Sequence, residues 1–113
     1  MPAIEHYEDR FVEMARSNPS GLLELLFKEN ISPADLTFAA SAAGDIPDSE
    51  LVVPMLLKLL EHKSAIVREG AIYGLSNYLP SDTIYDKFRE LRSSDHSTGV
   101  RETLAQILDS TRI

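Results

Sequence analysis

Two stretches of the chain repeat each other. Ser64-Ala65-Ile66-Val67-Arg68-Glu69 and Ser97-Thr98-Gly99-Val100-Arg101-Glu102 share the pattern Ser-x-x-Val-Arg-Glu at a spacing of 33 residues, and Ser32 stands 32 residues ahead of the first. Leu75 and Leu108 follow eight residues after each valine. A period in this range is the mark of stacked supersecondary units, none of which can bury its apolar face alone. That constraint outweighs any local propensity, because it fixes unit length and the need for neighbours together.

The punctuation between these marks is helical throughout. Ile4, Tyr7, Phe11 and Met14 recur at i, i+3, i+7 and i+10, one face of a helix over 3–17. Asn18-Pro19 is an N-cap followed by proline at the first helical position, and Leu22, Leu23, Leu25, Leu26 and Phe27 fill the helix behind it. Asn30 is expected to close that helix in a left-handed conformation. Ser32-Pro33-Ala34-Asp35 opens the next helix and Gly44 stops it. Asp48 or Ser49 caps a helix running to about His62, which Pro54 should bend. Ser64, Ser81 and Ser97 cap three more, ending near Tyr78, Arg92 and Asp109. Seven helices and no strand follow, with connections so short that neighbours should pack antiparallel.

The helix from Leu51 is apolar nearly all round, so it should be covered on both sides. On the helix from Ala65, Gly70 and Gly74 make a small-xxx-small face that lets a partner helix come close. A membrane-type dimer motif is the alternative meaning of that spacing, disfavoured because the helix is short and polar on its far side. Charged residues on the first helix (Glu5, Glu8, Asp9, Glu13) and on the sixth (Asp86, Lys87, Arg89, Glu90, Arg92) predict polar caps at both ends of the stack, and so a complete small protein.

The stretch from Leu56 through Val67-Arg68-Glu69-Gly70-Ala71 to Gly74-Leu75 resembles the HEAT-repeat family, including its shorter phycobilisome-lyase-like variety. Residues 82–108 resemble it more loosely, with Leu104 where the family has a small residue. Residues 33–46 do so through Ala39-Ala40-Ser41-Ala42-Ala43-Gly44, without the Val-Arg pair. The resemblance covers about three quarters of the chain and implies fold rather than function. The expected fold is all-α, a right-handed α-solenoid of about three antiparallel hairpins (19–43, 48–79 and 81–110) in one domain, with a capping helix at 3–17.

Charge divides the chain. Residues 1–50 hold three basic side chains against ten acidic ones, whereas residues 51–113 hold eight of each, so the net charge of −7 belongs to the first half. An acidic surface repels phosphate backbones, which argues against nucleic acid as a partner and for a basic protein. Apolar residues at 43% are too many for disorder. The absence of cysteine excludes disulfides and suits a reducing cytoplasm. The longest apolar run, Leu51 to Leu60, is broken by Pro54 and Lys58 and falls short of the roughly 20 residues a bilayer span needs. Met1 to Arg10 is acidic, without the apolar core of a signal peptide.

No constellation of catalytic groups stands out. His6, His62 and His96 are far apart and lack helical metal-ligand spacing. Asp95-His96-Ser97 has the letters of a triad, but adjacent residues rarely orient as one, and a helix-capping turn fits better. Arg68 and Arg101 hold equivalent repeat positions, which points to pairing with a carboxylate of a neighbouring unit. What varies between repeats is the column two, six and ten residues after each start of the Val-Arg pattern: Thr37, Ser41 and Asp45, then Glu69, Tyr73 and Asn77, then Glu102, Gln106 and Ser110. By the resemblance this column lines a concave face, with Tyr73 as its anchor and Asp48 beside it. The expectation is a non-enzymatic protein-binding module without cofactor or metal, monomeric or weakly dimeric: an inhibitor or immunity-type protein neutralising a basic partner such as a nuclease toxin. Two alternatives are a lyase-like protein handling a tetrapyrrole and a plain assembly scaffold.

Overall fold

The computed structural model describes residues 9–110, which hold seven helices and no strand. These are α1 (Asp9–Ser17), α2 (Pro19–Leu25), α3 (Pro33–Ala43), α4 (Ser49–Leu59), α5 (Ala65–Ser76), α6 (Asp82–Ser94) and α7 (Thr98–Ser110). The part of the expected capping helix at 3–8, with Ile4 and Tyr7, lies outside the described residues; Phe11 is buried and Met14 half-buried as its apolar stripe requires. No described helix is long and apolar enough to cross a membrane.

The helix starts are fixed by side chains that satisfy first-turn N–H groups. Asn18 accepts from Gly21, Ser32 from Asp35, Asp48 from Leu51, Ser81 from Ile84 and Ser97 from Val100, at 3.1–3.3 Å. Ser64 is the exception, since its hydroxyl makes no capping bond. Its backbone N–H instead donates to His62 Nδ1 at 3.0 Å. Asn30 does not close α2, because no described non-glycine residue has positive φ. The chain tightens earlier, where Leu26 N–H donates to the Leu23 carbonyl and Lys28 N–H to that of Leu25, both at 3.2 Å. These i→i−3 bonds end the helix without a left-handed residue.

Helices α1, α3, α5 and α7 lie side by side in that order, while α2, α4 and α6 each pack on the helix that follows. One apolar core runs through them, with Phe11, Leu22, Leu36, Val52, Leu56, Val67, Ile72, Leu75, Ile84, Phe88, Val100 and Leu104 all buried. Helices α3 and α5 are the most closely packed pair. A Cβ at Gly70 would collide with the backbone and hydroxyl of Thr37, and one at Gly74 with the Ala40 carbonyl and Leu56. The small-xxx-small face therefore serves an internal contact with α3. Gly44 has right-handed φ, and its lack of a side chain matters because Gly74 O and Asn77 occupy the space.

Helix α4 is not covered on both sides. It buries Val52, Leu56 and Leu59, but Leu51 is 51% exposed and Phe27 beside it 46%. The two line an open groove between α2 and α4 with Leu23 and Met55. Pro54 is exposed and α4 continues through it, so the Glu50 carbonyl that loses its helical donor lies on a solvent-facing stretch.

Candidate protein-contact face

The turn before α7 shows how the repeat holds itself. Arg68 Nε and Nη2 donate to Asp95 Oδ2 and Oδ1, each at 2.9 Å, in a side-on bidentate pair between α5 and the α6–α7 turn. The third nitrogen, Nη1, donates to the His62 carbonyl at 2.8 Å and the Lys63 carbonyl at 3.2 Å. Asp95 Oδ1 also accepts from Ser97 N–H at 2.9 Å. Burial pushes the Asp95 carboxyl upward, but the Arg68 and Ser97 hydrogen bonds and the nearby positive charges outweigh it and hold it below the usual aspartate value. Arg101 repeats the anchor, with Nη1 on the Asp95 carbonyl at 2.6 Å. Arg68 thus finds the expected carboxylate in the neighbouring unit, whereas Arg101 binds a backbone carbonyl and the Thr98 hydroxyl and meets no carboxylate among the described residues.

The first unit departs from this. Leu36 stands where Arg68 and Arg101 stand, four residues after the capping serine, and His62 stands where Asp95 does. Both His62 Nδ1 and Asp95 Oδ1 accept from the N–H two residues on. Burial, with Lys63 and Arg68 close by, lowers the pKa of His62 and favours the neutral ring that this bond requires.

With the scaffold removed from consideration, the variable column remains. Tyr73 is 48% exposed at the start of the last turn of α5. Asp45, Asn77, Glu102 and Gln106 are exposed and Ser41 is half-buried. Asp48 is exposed too, but its carboxylate is occupied as the α4 cap. Three column residues lie at seams between helices: Thr37 against Gly70, Asn77 against Gly44, and Glu69, whose Oε2 sits next to Gly99 in the first turn of α7. That turn carries the positive end of the helix dipole, which suits a carboxylate. Asp45 and Asp48 are each close enough to Tyr78 for their charge to help raise the pKa of its phenol, after burial.

Sequence reasoning missed Ile66. It is 47% exposed and lies two turns before Tyr73 on the same stripe of α5, so that stripe reads Ile66, Glu69, Tyr73, Asn77. The signal was available, because the column could have been extended by one turn toward the helix start. Phe38, 38% exposed on α3, was hidden by the alanine-rich run around it. Among the described residues no cluster of three or more histidine, aspartate or glutamate side chains is placed to hold a metal ion.

Comparison of the chain with models of protein families, with curated proteins and with solved structures finds no match.

Proposed function

We propose that this chain is a protein-binding module: a short right-handed stack of HEAT-like hairpins that presents the α3–α5–α7 column to a basic protein partner. The observation that carries this reading is the exposure of Tyr73 and Ile66 on the central helix of the row, with Glu69, Asn77, Glu102 and Gln106 around them. An amphipathic aromatic and an aliphatic side chain, rimmed by polar and acidic groups, have the composition of a contact centre. The acidic excess of residues 1–50 adds attraction for a basic partner and would speed encounter. An inhibitor or immunity-type protein that covers the active site of a basic toxin is the specific form of this reading.

The test uses a photo-crosslinking amino acid at position 73 and, separately, at position 86 on α6, in cells that produce the protein naturally. The module reading expects one discrete protein adduct from position 73, weaker or absent from position 86. Purified with that partner, the complex should associate at least tenfold more slowly when salt rises from low to about 0.5 M, because exposed charges are screened beyond a few ångströms there. Equal crosslinking from both positions, or an association rate indifferent to salt, overturns it.

A further inference from the structure

Arg68 and Arg101 are anchored alike but employed differently. In each, Nη1 donates to the carbonyl six residues back, that of His62 or of Asp95. In Arg68 this leaves the Nε–Nη2 edge of the guanidinium facing the next unit along the row. For Arg68 that edge clasps the Asp95 carboxylate. For Arg101 Nη2 meets only the Thr98 hydroxyl at 3.2 Å, and no carboxylate among the described residues pairs with it. The side chain remains half-exposed. Glu69 and Glu102 form a second such pair. Glu69 Oε2 lies beside the first turn of the following helix, at Gly99, while Glu102, 33 residues later, is exposed.

We propose that the end of the row formed by α7 is a docking surface for the start of a partner's helix, preceded by an acidic Asp-x-Ser or Asp-x-Thr turn. Arg101 takes the aspartate side-on, as Arg68 takes Asp95, and Glu102 faces the first turn of the incoming helix, as Glu69 faces that of α7. The occupant is argued from the molecule's own α5–α7 seam, which displays both contacts already made. Charge agrees with this choice. Residues 51–113 are balanced, so an acidic turn meets no net repulsion from this half of the chain, unlike the half that carries the −7. A guanidinium anchored through Nη1, with only a hydroxyl on Nη2 and no carboxylate on its Nε–Nη2 edge, is preorganised for bidentate carboxylate recognition.

The test is a titration of the isotope-labelled full chain with an end-blocked, lactam-stapled peptide of residues 94–110, which carries the turn and helix that Arg68 holds. The arginine Nε–H resonances are the readout. Saturable displacement of the Arg101 signal is expected below 1 mM peptide, with the already-clasped Arg68 signal unmoved. A peptide with Asn in place of its aspartate should bind at least tenfold more weakly. A Glu102→Gln chain, altered only at an exposed position, should bind the original peptide several-fold more weakly. An Arg101 signal that does not respond, that responds equally to the Asn peptide, or that stays still while Arg68 shifts would overturn the proposal.

Discussion

Between α3 and α5 the backbones themselves meet. Gly70 rests on Thr37, Gly74 on the Ala40 carbonyl, and Gly44 under Gly74 and Asn77. Between α5 and α7 the positions equivalent to Gly70 and Gly74 are Thr103 and Ile107, which keep the helices apart, and the join is made by the Arg68–Asp95 pair. At the first seam the ionic positions hold Leu36 and His62 instead. One repeat length is thus compatible with two ways of joining units. Close approach gains dispersion contacts through the absence of side chains, whereas a clamp across a wider gap needs a buried charge and its full set of partners.

The two seams should fail differently, and the glycine seam should fail hardest. A leucine at Gly70 or Gly74 must displace the α3 backbone rather than a flexible side chain. Overpacking of this kind costs about 3 kcal/mol or more, a large share of the 5–15 kcal/mol typical of a domain. Either variant should lose most of its cooperative urea transition. Gly70→Ala is the sharper probe. Helix propensity alone favours it by about 1 kcal/mol, so net destabilisation would show that contact outweighs propensity. At the other seam Thr103→Ala should change stability by less than about 1 kcal/mol, since it removes atoms from a half-buried position and forces nothing to move.

At the clamp, Asp95→Ala should cost about 3 kcal/mol, because Arg68 is left buried without its carboxylate. Ser97 N–H also loses its acceptor. The double change Arg68→Met with Asp95→Leu should recover much of that loss, since apolar pairs of similar volume often replace a buried ion pair at little cost. Chemical denaturation of the two single variants and the double variant closes the cycle. A double variant as unstable as the sum of the singles would show that Asp95 matters through the Ser97 turn and not through Arg68.

Acid should loosen the same region. The Asp95 carboxyl is held below its usual value in the folded chain, so its contribution is present above that usual value and is lost as pH falls through the depressed one. His62, lowered from 6.5, behaves in the same sense: its contribution is complete above 6.5 and declines as acid forces a proton onto the ring. Melting temperature measured from pH 7 to pH 3 should fall for the natural chain, and Asp95→Asn should flatten the part below pH 4. An unchanged slope in that variant would exclude Asp95 as the acid-sensitive group.

Much of this was legible in the residues. Ser32, Ser81 and Ser97 announce helix starts because a hydroxyl before an apolar periodic run satisfies first-turn N–H groups, and the repeated Val-Arg-Glu marks equivalent positions. The internal use of Gly70 and Gly74 was legible as a close approach, though not its partner. What escaped is what depends on non-local packing. Ser64 looks like the other caps, yet its turn is organised by His62 Nδ1. Leu51 and Phe27 look like core because they are large and apolar, yet the groove between α2 and α4 leaves them open. Asp95 looks like one more surface acid until a guanidinium 27 residues away reaches it. Of the candidate face, periodicity indicated the column, but which of its members are spent at helix seams required the neighbouring helices.

The smallest effect isolates a polar tie of the glycine seam. The Tyr78 hydroxyl, at the end of α5, donates to the carbonyls of Ala43 and Ile46 in the turn after α3. Burial, with Asp45 and Asp48 nearby, pushes its pKa up to about 12 from 10. Tyr78→Phe keeps the ring and removes this tie, so the expected loss near neutral pH is about 1 kcal/mol, the net worth of one such bond. The pH dependence separates the tie from mere packing. A raised folded pKa means the stabilisation is complete below pH 10 and is lost as pH rises through about 12, because the unfolded chain releases the proton first. The stability difference between the natural chain and Tyr78→Phe should therefore be constant from pH 7 to pH 9 and shrink above pH 10. A difference that stays constant to pH 11 would mean that the phenol titrates alike in the folded and unfolded chains, and that neither burial nor the Asp45 and Asp48 carboxylates hold its proton at this seam.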